Sequence, residues 1–373
     1  TFGANSASPT GAFTVTAGTV VAPSTVLSIG GNYTQSGSFT DNGGRLLFDG
    51  ASQTIAGTMN TASTDFAEVQ FLGSGTKTFS NNASTTVVTI ASGVTLLAPA
   101  QFTVAGNYTQ NGTYAHNQGT VFFDSASAQT LSGTMTGTSA FATTSFYGAG
   151  TKTFNANAST TAHFTINSGA TVVQQGSTLL TIGGNWTQNG SFTDSGGTVY
   201  FSSSTAQTIA GTMNTASTDF ASVQFLGSGT KTLANNASTT AFTVGSGVTV
   251  AAPTLLTIAG NYTQNGSFTD SGGTVYFSGT PTLLGTMNTA STDFNAVEFL
   301  AAGTKTLGNN ASTSQLTVTA GTLDVSSRLL TIGGTFTNNA TLTTNSTSRL
   351  YFTGSGNIAG TLTDTSQLGN VEL

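Results

Sequence analysis

The chain repeats itself. Gly31-Asn32-Tyr33-Thr34-Gln35 returns as Gly106-Asn107-Tyr108-Thr109-Gln110, as Gly184-Asn185-Trp186-Thr187-Gln188 and as Gly260-Asn261-Tyr262-Thr263-Gln264, with a looser copy at Gly334-Thr335-Phe336-Thr337. Asn32, Asn107, Asn185, Asn261 and Thr335 thus mark a period of roughly 75 residues. Lys77, Lys152, Lys231 and Lys305 keep the same period, and so do Phe48, Phe123, Phe201, Phe277 and Phe352. Three independent markers with one period mean that a single structural unit is stacked or strung along the chain. The repeats run over approximately 1–77, 78–152, 153–231, 232–305 and 306–373, read as one continuous array.

Inside a repeat the apolar residues form short, β-branched or aromatic runs. The fourth copy shows Phe242-Thr243-Val244, Leu255-Leu256-Thr257-Ile258, Thr274-Val275-Tyr276-Phe277 and Ala296-Val297-Glu298-Phe299, parted by Gly, Asn and Ser clusters. That is strand-and-turn chemistry, and no stretch carries a 3.6-residue period. Strand starts roughly 13 to 22 residues apart suit one rung of a β-solenoid, about four rungs per repeat. The expected fold is all-β, a right-handed parallel β-solenoid (β-helix) of five repeats of about 75 residues. Tandem β-sandwich domains are the alternative, but the copies show no linker-like change of composition. The Phe48, Phe123, Phe201, Phe277 and Phe352 column is then a core ladder.

Composition narrows function. Charged residues make up only 5% of the chain, too few for the basic stripe of a nucleic-acid binder, and there are seven Lys plus Arg in all. Equivalent side chains on adjacent rungs sit about 4.8 Å apart, where like charges repel by nearly 1 kcal/mol even in water. A stacked architecture therefore favours Thr, Ser and Asn. One Lys per repeat, recurring every four rungs, lies beyond a Debye length of about 8–10 Å and costs little. With 37% hydrophobic residues and 25 Phe the chain can build a core rather than stay disordered. No Cys is present, so no thiolate site or disulfide framework enters. No apolar run approaches the roughly 18 residues of a membrane span.

Candidate chemistry is sparse. His116 stands in the second repeat and His163 in the third, each with no counterpart in other copies. Metal ligand or base is one reading; a solvated or packed imidazole is the other. Asp65, Asp219 and Asp293 recur in Ser-Thr-Asp-Phe, and Asp41, Asp194 and Asp270 precede Gly-rich turns. Paired carboxylates hydrolyse glycosides, and parallel β-helices host such enzymes, but one Asp per turn also reads as a turn cap. One carboxylate per turn is thin for calcium. No catalytic residue, metal site or cofactor is assigned, and the chain is read as non-enzymatic. Asn-x-Ser/Thr triplets recur at Asn32, Asn107, Asn185 and Asn261, at Asn82, Asn157, Asn236 and Asn310, and at Asn111, Asn189 and Asn265. They are glycan acceptors, or a ladder of turn asparagines in an Asn/Thr-rich chain. The Tyr33, Tyr108, Trp186, Tyr262, Phe336 column is either an exposed stripe for stacking on sugars or core.

The units Gly-Thr-Lys-Thr-Phe-Ser-Asn-Asn-Ala-Ser-Thr-Thr and Ile-Gly-Gly-Asn-Trp-Thr-Gln-Asn-Gly-Ser-Phe-Thr resemble the long Thr/Gly/Ser-rich surface repeat proteins of ultra-small candidate-phylum bacteria. More loosely they are similar to filamentous-haemagglutinin-like and autotransporter-like β-helix adhesins. The resemblance spans the whole chain and transfers no functional residue. It implies secretion, surface display and a role in attachment or fibre formation.

The chain opens with Thr1-Phe2-Gly3-Ala4-Asn5, which matches Thr78-Phe79-Ser80-Asn81-Asn82, and closes with Asn370-Val371-Glu372-Leu373, which matches Ala296-Val297-Glu298-Phe299. A bare terminal rung exposes unpaired backbone. Thr1, Phe2, Val371 and Leu373 are thus the expected contact between head-to-tail copies, or the seam to flanking repeats of a longer array. The expectation is a protomer or segment of an extracellular bacterial fibre, partnered by copies of itself and by surface glycans. An adhesin stalk is the alternative, and a polysaccharide-degrading β-helix the remote one.

Overall fold

The computed structural model describes residues 7–61, 66–215, 220–270, 272–289, 294–363 and 366–373. They divide into two compact units, Thr1–Ser195 and Gly196–Leu373. The division falls inside the third repeat, not between repeats. The described residues form short strands and one 3₁₀ turn at Gly137–Ser139. Among them the strand pairings run parallel, as in Phe13–Val15 on Tyr33–Gln35 and Leu255–Ile258 on Thr274–Phe277. Each unit is a parallel β-solenoid. The β-sandwich alternative, which needs antiparallel hairpins, is excluded.

One coil of the first unit shows how the sequence builds the rung. Tyr108–Gln110, Thr113–Ala115 and Thr120–Asp124 form three sides, and Gln129–Gly133 then lies over Tyr108–Gln110. In the second unit Thr322–Asp324, Leu329–Ile332 and Phe336–Asn338 are followed by Thr341–Thr343 over the first. Side chains alternate, as a pleated strand requires. In Thr120–Asp124, Val121 and Phe123 are buried while Phe122 and Asp124 face outward. Thr95 meets Thr113 of the next coil, whereas Gln53 has to travel further along the chain to meet Lys77. Coil length thus varies from corner to corner around about 20 residues, one solenoid rung.

That coil length overturns the expectation of four rungs per repeat with like residues in line. A repeat of about 75 residues holds about three and two-thirds such coils, so successive copies land on different sides of the solenoid. In the first unit Tyr33 pairs with Phe13 and Ile55, Tyr108 with Val88 and Leu131, and Trp186 with Phe164. Tyr33 belongs to the six-stranded ladder from Phe13–Val15 to Thr113–Ala115, and Tyr108 and Trp186 stand on the two other sides. The Phe column is buried core, as expected, but it is not one ladder. Phe48 stacks on Phe71 at 5.7 Å between ring centroids, Phe123 on Phe146 at 5.4 Å, Phe201 on Phe225 at 5.5 Å and Phe277 on Phe299 at 5.3 Å. Phe352 lies 6.1 Å from Phe336. Aromatic stacks thus join two different elements of one repeat across consecutive coils.

Candidate functional site

The repeat motifs resolve into three devices that tie one coil to its neighbours. The first is Tyr-Thr-Gln. Tyr33, Tyr108, Trp186 and Tyr262 are all fully buried, so the reading as an exposed sugar-stacking stripe is excluded and the core reading stands. Their partner is the Gln two positions on, which shares the inward face. Tyr33 Oη donates to Gln35 Oε1 at 2.6 Å, Tyr108 to Gln110 at 2.6 Å and Tyr262 to Gln264 at 2.5 Å. Trp186 Nε1 donates to Gln188 Oε1 at 3.2 Å. In the fifth copy Phe336 has no polar hydrogen, and the position two on is Asn338, whose Nδ2 donates to the Thr361 carbonyl at 2.7 Å. The change at both positions is one change: the hydroxyl and its long acceptor disappear together. A glycine one coil further on completes the motif. Gly133 has φ +98°, and a Cβ there would collide with the Gln110 carbonyl oxygen.

The second device is a buried lysine. Lys77, Lys152, Lys231 and Lys305 have no exposed surface, which their spacing alone did not foretell. Parity explains it. In Gly75–Phe79 the Lys precedes the buried Phe79 by two positions and so faces inward with it. Each ammonium is received by backbone carbonyls of its own turn or of an adjacent coil. Lys152 Nζ donates to Ser125, Gly148 and Gly150 at 3.0, 2.8 and 2.7 Å. Lys231 reaches Ser203, Thr205 and Ser228 at 2.8, 3.0 and 2.6 Å. Lys77 reaches Gly50 and Ser74, and Lys305 reaches Ala301, Gly303 and Ala320. Burial pushes all four ammonium groups below their ordinary pKa; the Asp49 charge opposes this at Lys77 and Asp124 at Lys152. A buried Gln lies in register beneath three of them, Gln53 under Lys77, Gln129 under Lys152 and Gln207 under Lys231. Gln53 Nε2 donates to the Ile29 and Gly31 carbonyls at 2.7 and 2.6 Å, and Gln129 repeats this on Val104 and Gly106. An amine enclosed in this way, with its protons spent on carbonyls, clamps a corner rather than attacking a substrate.

The third device uses the asparagines. Asn82, Asn157, Asn236 and Asn310 accept the backbone N–H of Gln101, Leu179, Leu255 and Leu329 one coil on, at 3.0, 2.9, 3.1 and 2.9 Å. Asn32, Asn107 and Asn261 do the same for Thr54, Thr130 and Thr282. Where the pair is Asn-Asn, the first residue binds the coil behind: Asn81 to Gly57, Asn235 to Gly211 and Asn309 to Gly285. The recurrence of these triplets therefore has a structural cause in two of the three columns, as the turn-asparagine reading expects. Asn111, Asn189 and Asn265 differ. They stand exposed at turns and are anchored by their backbone N–H to Ile90, Ile166 and Val244.

No family model, curated protein or solved structure matches the chain.

The remaining candidates take local structural roles. His116 Nδ1 accepts the Gln118 N–H at 3.0 Å and His163 Nδ1 accepts the Asn185 N–H at 3.3 Å, so each imidazole caps backbone. Asp270 accepts the Gly273 N–H at 2.6 Å and the Asn295 N–H at 3.2 Å, and Asp41 accepts the Ala67 N–H at 2.8 Å. Burial raises both carboxyl pKa values and these backbone bonds oppose the rise. Asp194 ends the strand Ser191–Asp194 opposite Gln174. Asp65, Asp219 and Asp293 lie outside the described residues, as do Thr1 and Phe2. Val371 is 41% and Leu373 88% exposed, with Asn370–Glu372 paired on Arg349–Phe352. Sequence reasoning missed the lysine clamp and the Gln beneath it; the face they share with buried aromatics was the available signal.

Proposed function

We propose that the chain is a non-catalytic structural segment of an extracellular bacterial fibre. The observation that carries this is the repetition of coil-to-coil fastening. Aromatic stacks, carbonyl-bound lysines and asparagine staples recur in successive repeats, and each joins segments about one coil apart. Side chains specialised in this way resist separation of coils and leave the outer faces to Thr and Ser. Parallel ladders accept further rungs of the same kind, so copies of the chain or flanking repeats continue the stack end to end. The reading places the protein at the cell surface, where Thr/Gly/Ser-rich repeat proteins of similar texture are expected.

Negative-stain electron microscopy across a concentration series tests it. Unbranched fibres that lengthen with concentration are the expected result. Particles of one constant length at every concentration refute end-to-end stacking, and flexible beads refute a stiff segment altogether.

A further inference from the structure

Arg328 stands where the other repeats have no charge. The residue before the stapled strand is Ala100 in the second repeat, Thr178 in the third and Thr254 in the fourth. In the fifth repeat it is Arg328, which lines a solvent-open cleft of about 330 Å³ with Gly285, Thr286, Asn288, Asn309 and Asn310. The volume is at the low end of cavities that hold small ligands, roughly 300–1,000 Å³.

The cleft offers mainly donors. Asn309 Oδ1 is committed to the Gly285 N–H at 2.8 Å and Asn310 Oδ1 to the Leu329 N–H at 2.9 Å. Their Nδ2 groups remain to donate to a ligand, and each Oδ1 keeps a second lone pair. Arg328 Nε is shielded and has no hydrogen-bond partner, and Nη1 reaches only the carbonyl of its neighbour Ser327 at 3.5 Å. Among the described residues that line the cleft there is no carboxylate. The outer Nη edge of this guanidinium, flanked by amide donors and the Thr286 hydroxyl, matches a planar oxyanion carried on a polyhydroxylated frame.

We propose that this cleft binds a carboxylate-bearing saccharide, with Arg328 receiving the carboxylate and Asn309, Asn310 and Thr286 the sugar hydroxyls. The site is independent of the fibre reading, since it needs only one corner, shared by the fourth and fifth repeats.

Isothermal titration of the full chain with a galacturonic acid oligomer tests it, against an uncharged galactose oligomer and free acetate. Saturable binding of the acidic oligomer is expected, at least tenfold tighter than either control. Arg328→Gln should weaken it tenfold or more with an unchanged melting temperature, and Arg328→Lys, which keeps the charge but not the fork, should lie between. Absence of binding, equal binding by Arg328→Gln, or acetate binding as tightly as the oligomer each overturns the proposal; the last marks an adventitious ion only. Should Arg328→Gln melt early, the comparison of the two oligomers on the native chain still decides.

Discussion

Replacing Lys152 with Met tests whether the buried ammonium holds the solenoid together or is only tolerated by it. Met keeps the stem's volume and removes three charge-assisted hydrogen bonds, to Ser125, Gly148 and Gly150. Each such bond contributes about 1.5–3 kcal/mol, and each carbonyl left buried without a donor costs about 1–3 kcal/mol. Against this stands the relief of desolvating a charge, whose presence is seen in the depressed pKa of Lys152. Breaking one side of a buried charged arrangement costs roughly 3–5 kcal/mol. With the relief subtracted, a net loss of about 3 kcal/mol is expected. In a solenoid the damage stays near its neighbours, because each coil contacts only adjacent ones. Hydrogen exchange over residues 124–154 should therefore speed up roughly a hundredfold, the factor that about 3 kcal/mol implies. Urea unfolding followed through Trp186, the single tryptophan, buried and stacked on Phe164 at 4.6 Å, reports on the same unit. A variant that is as stable as the native chain, or more so, would refute the clamp: the lysine would then be a net cost.

Three further outcomes follow from the same geometry. Burial raises the pKa of Tyr33, Tyr108 and Tyr114, so the folded first unit keeps three protons that the unfolded chain releases above about pH 10. Their stabilisation is complete below that pH and is lost above it by about 4 kcal/mol per pH unit for the three together. The lowered lysines act in the opposite direction, adding stability as pH rises towards about 10.5 and nothing beyond. Urea midpoints should hold or climb up to about pH 10 and then collapse; a flat midpoint from about pH 10 to 11.5 contradicts the assignment. Gly133→Ala forces a side chain into a positive-φ site and against the Gln110 carbonyl, and should cost about 3 kcal/mol or more by denaturant titration. Asn157→Ala removes the staple on Leu179 and should cost about 1 kcal/mol, while Asn111→Ala, at an exposed turn, should leave the midpoint within about 0.5 kcal/mol; equal effects would show that the staples contribute nothing.

The period-two alternation of Val121, Phe123 and their neighbours was legible directly, because which face a residue takes is set by its own strand. From it came the all-β class, the burial of the Phe column and the stacked parallel architecture that the tandem copies imply. The same alternation puts Lys77 on the face of Phe79; only the carbonyls gathered by two successive coils make the buried ammonium tolerable. The asparagine columns were visible as columns, but their role depends on an N–H group found one coil later, Gln101 for Asn82 and Leu179 for Asn157. Register around the solenoid was not legible at all. Coil length is decided by how corners close and how one rung packs on the next, and at about 20 residues it does not divide a repeat of about 75 residues. The sequence by itself therefore determined what each strand buries and what each repeat contains. The tertiary structure decided which residues meet, because those contacts join segments one coil apart and no local pattern counts the residues of a coil.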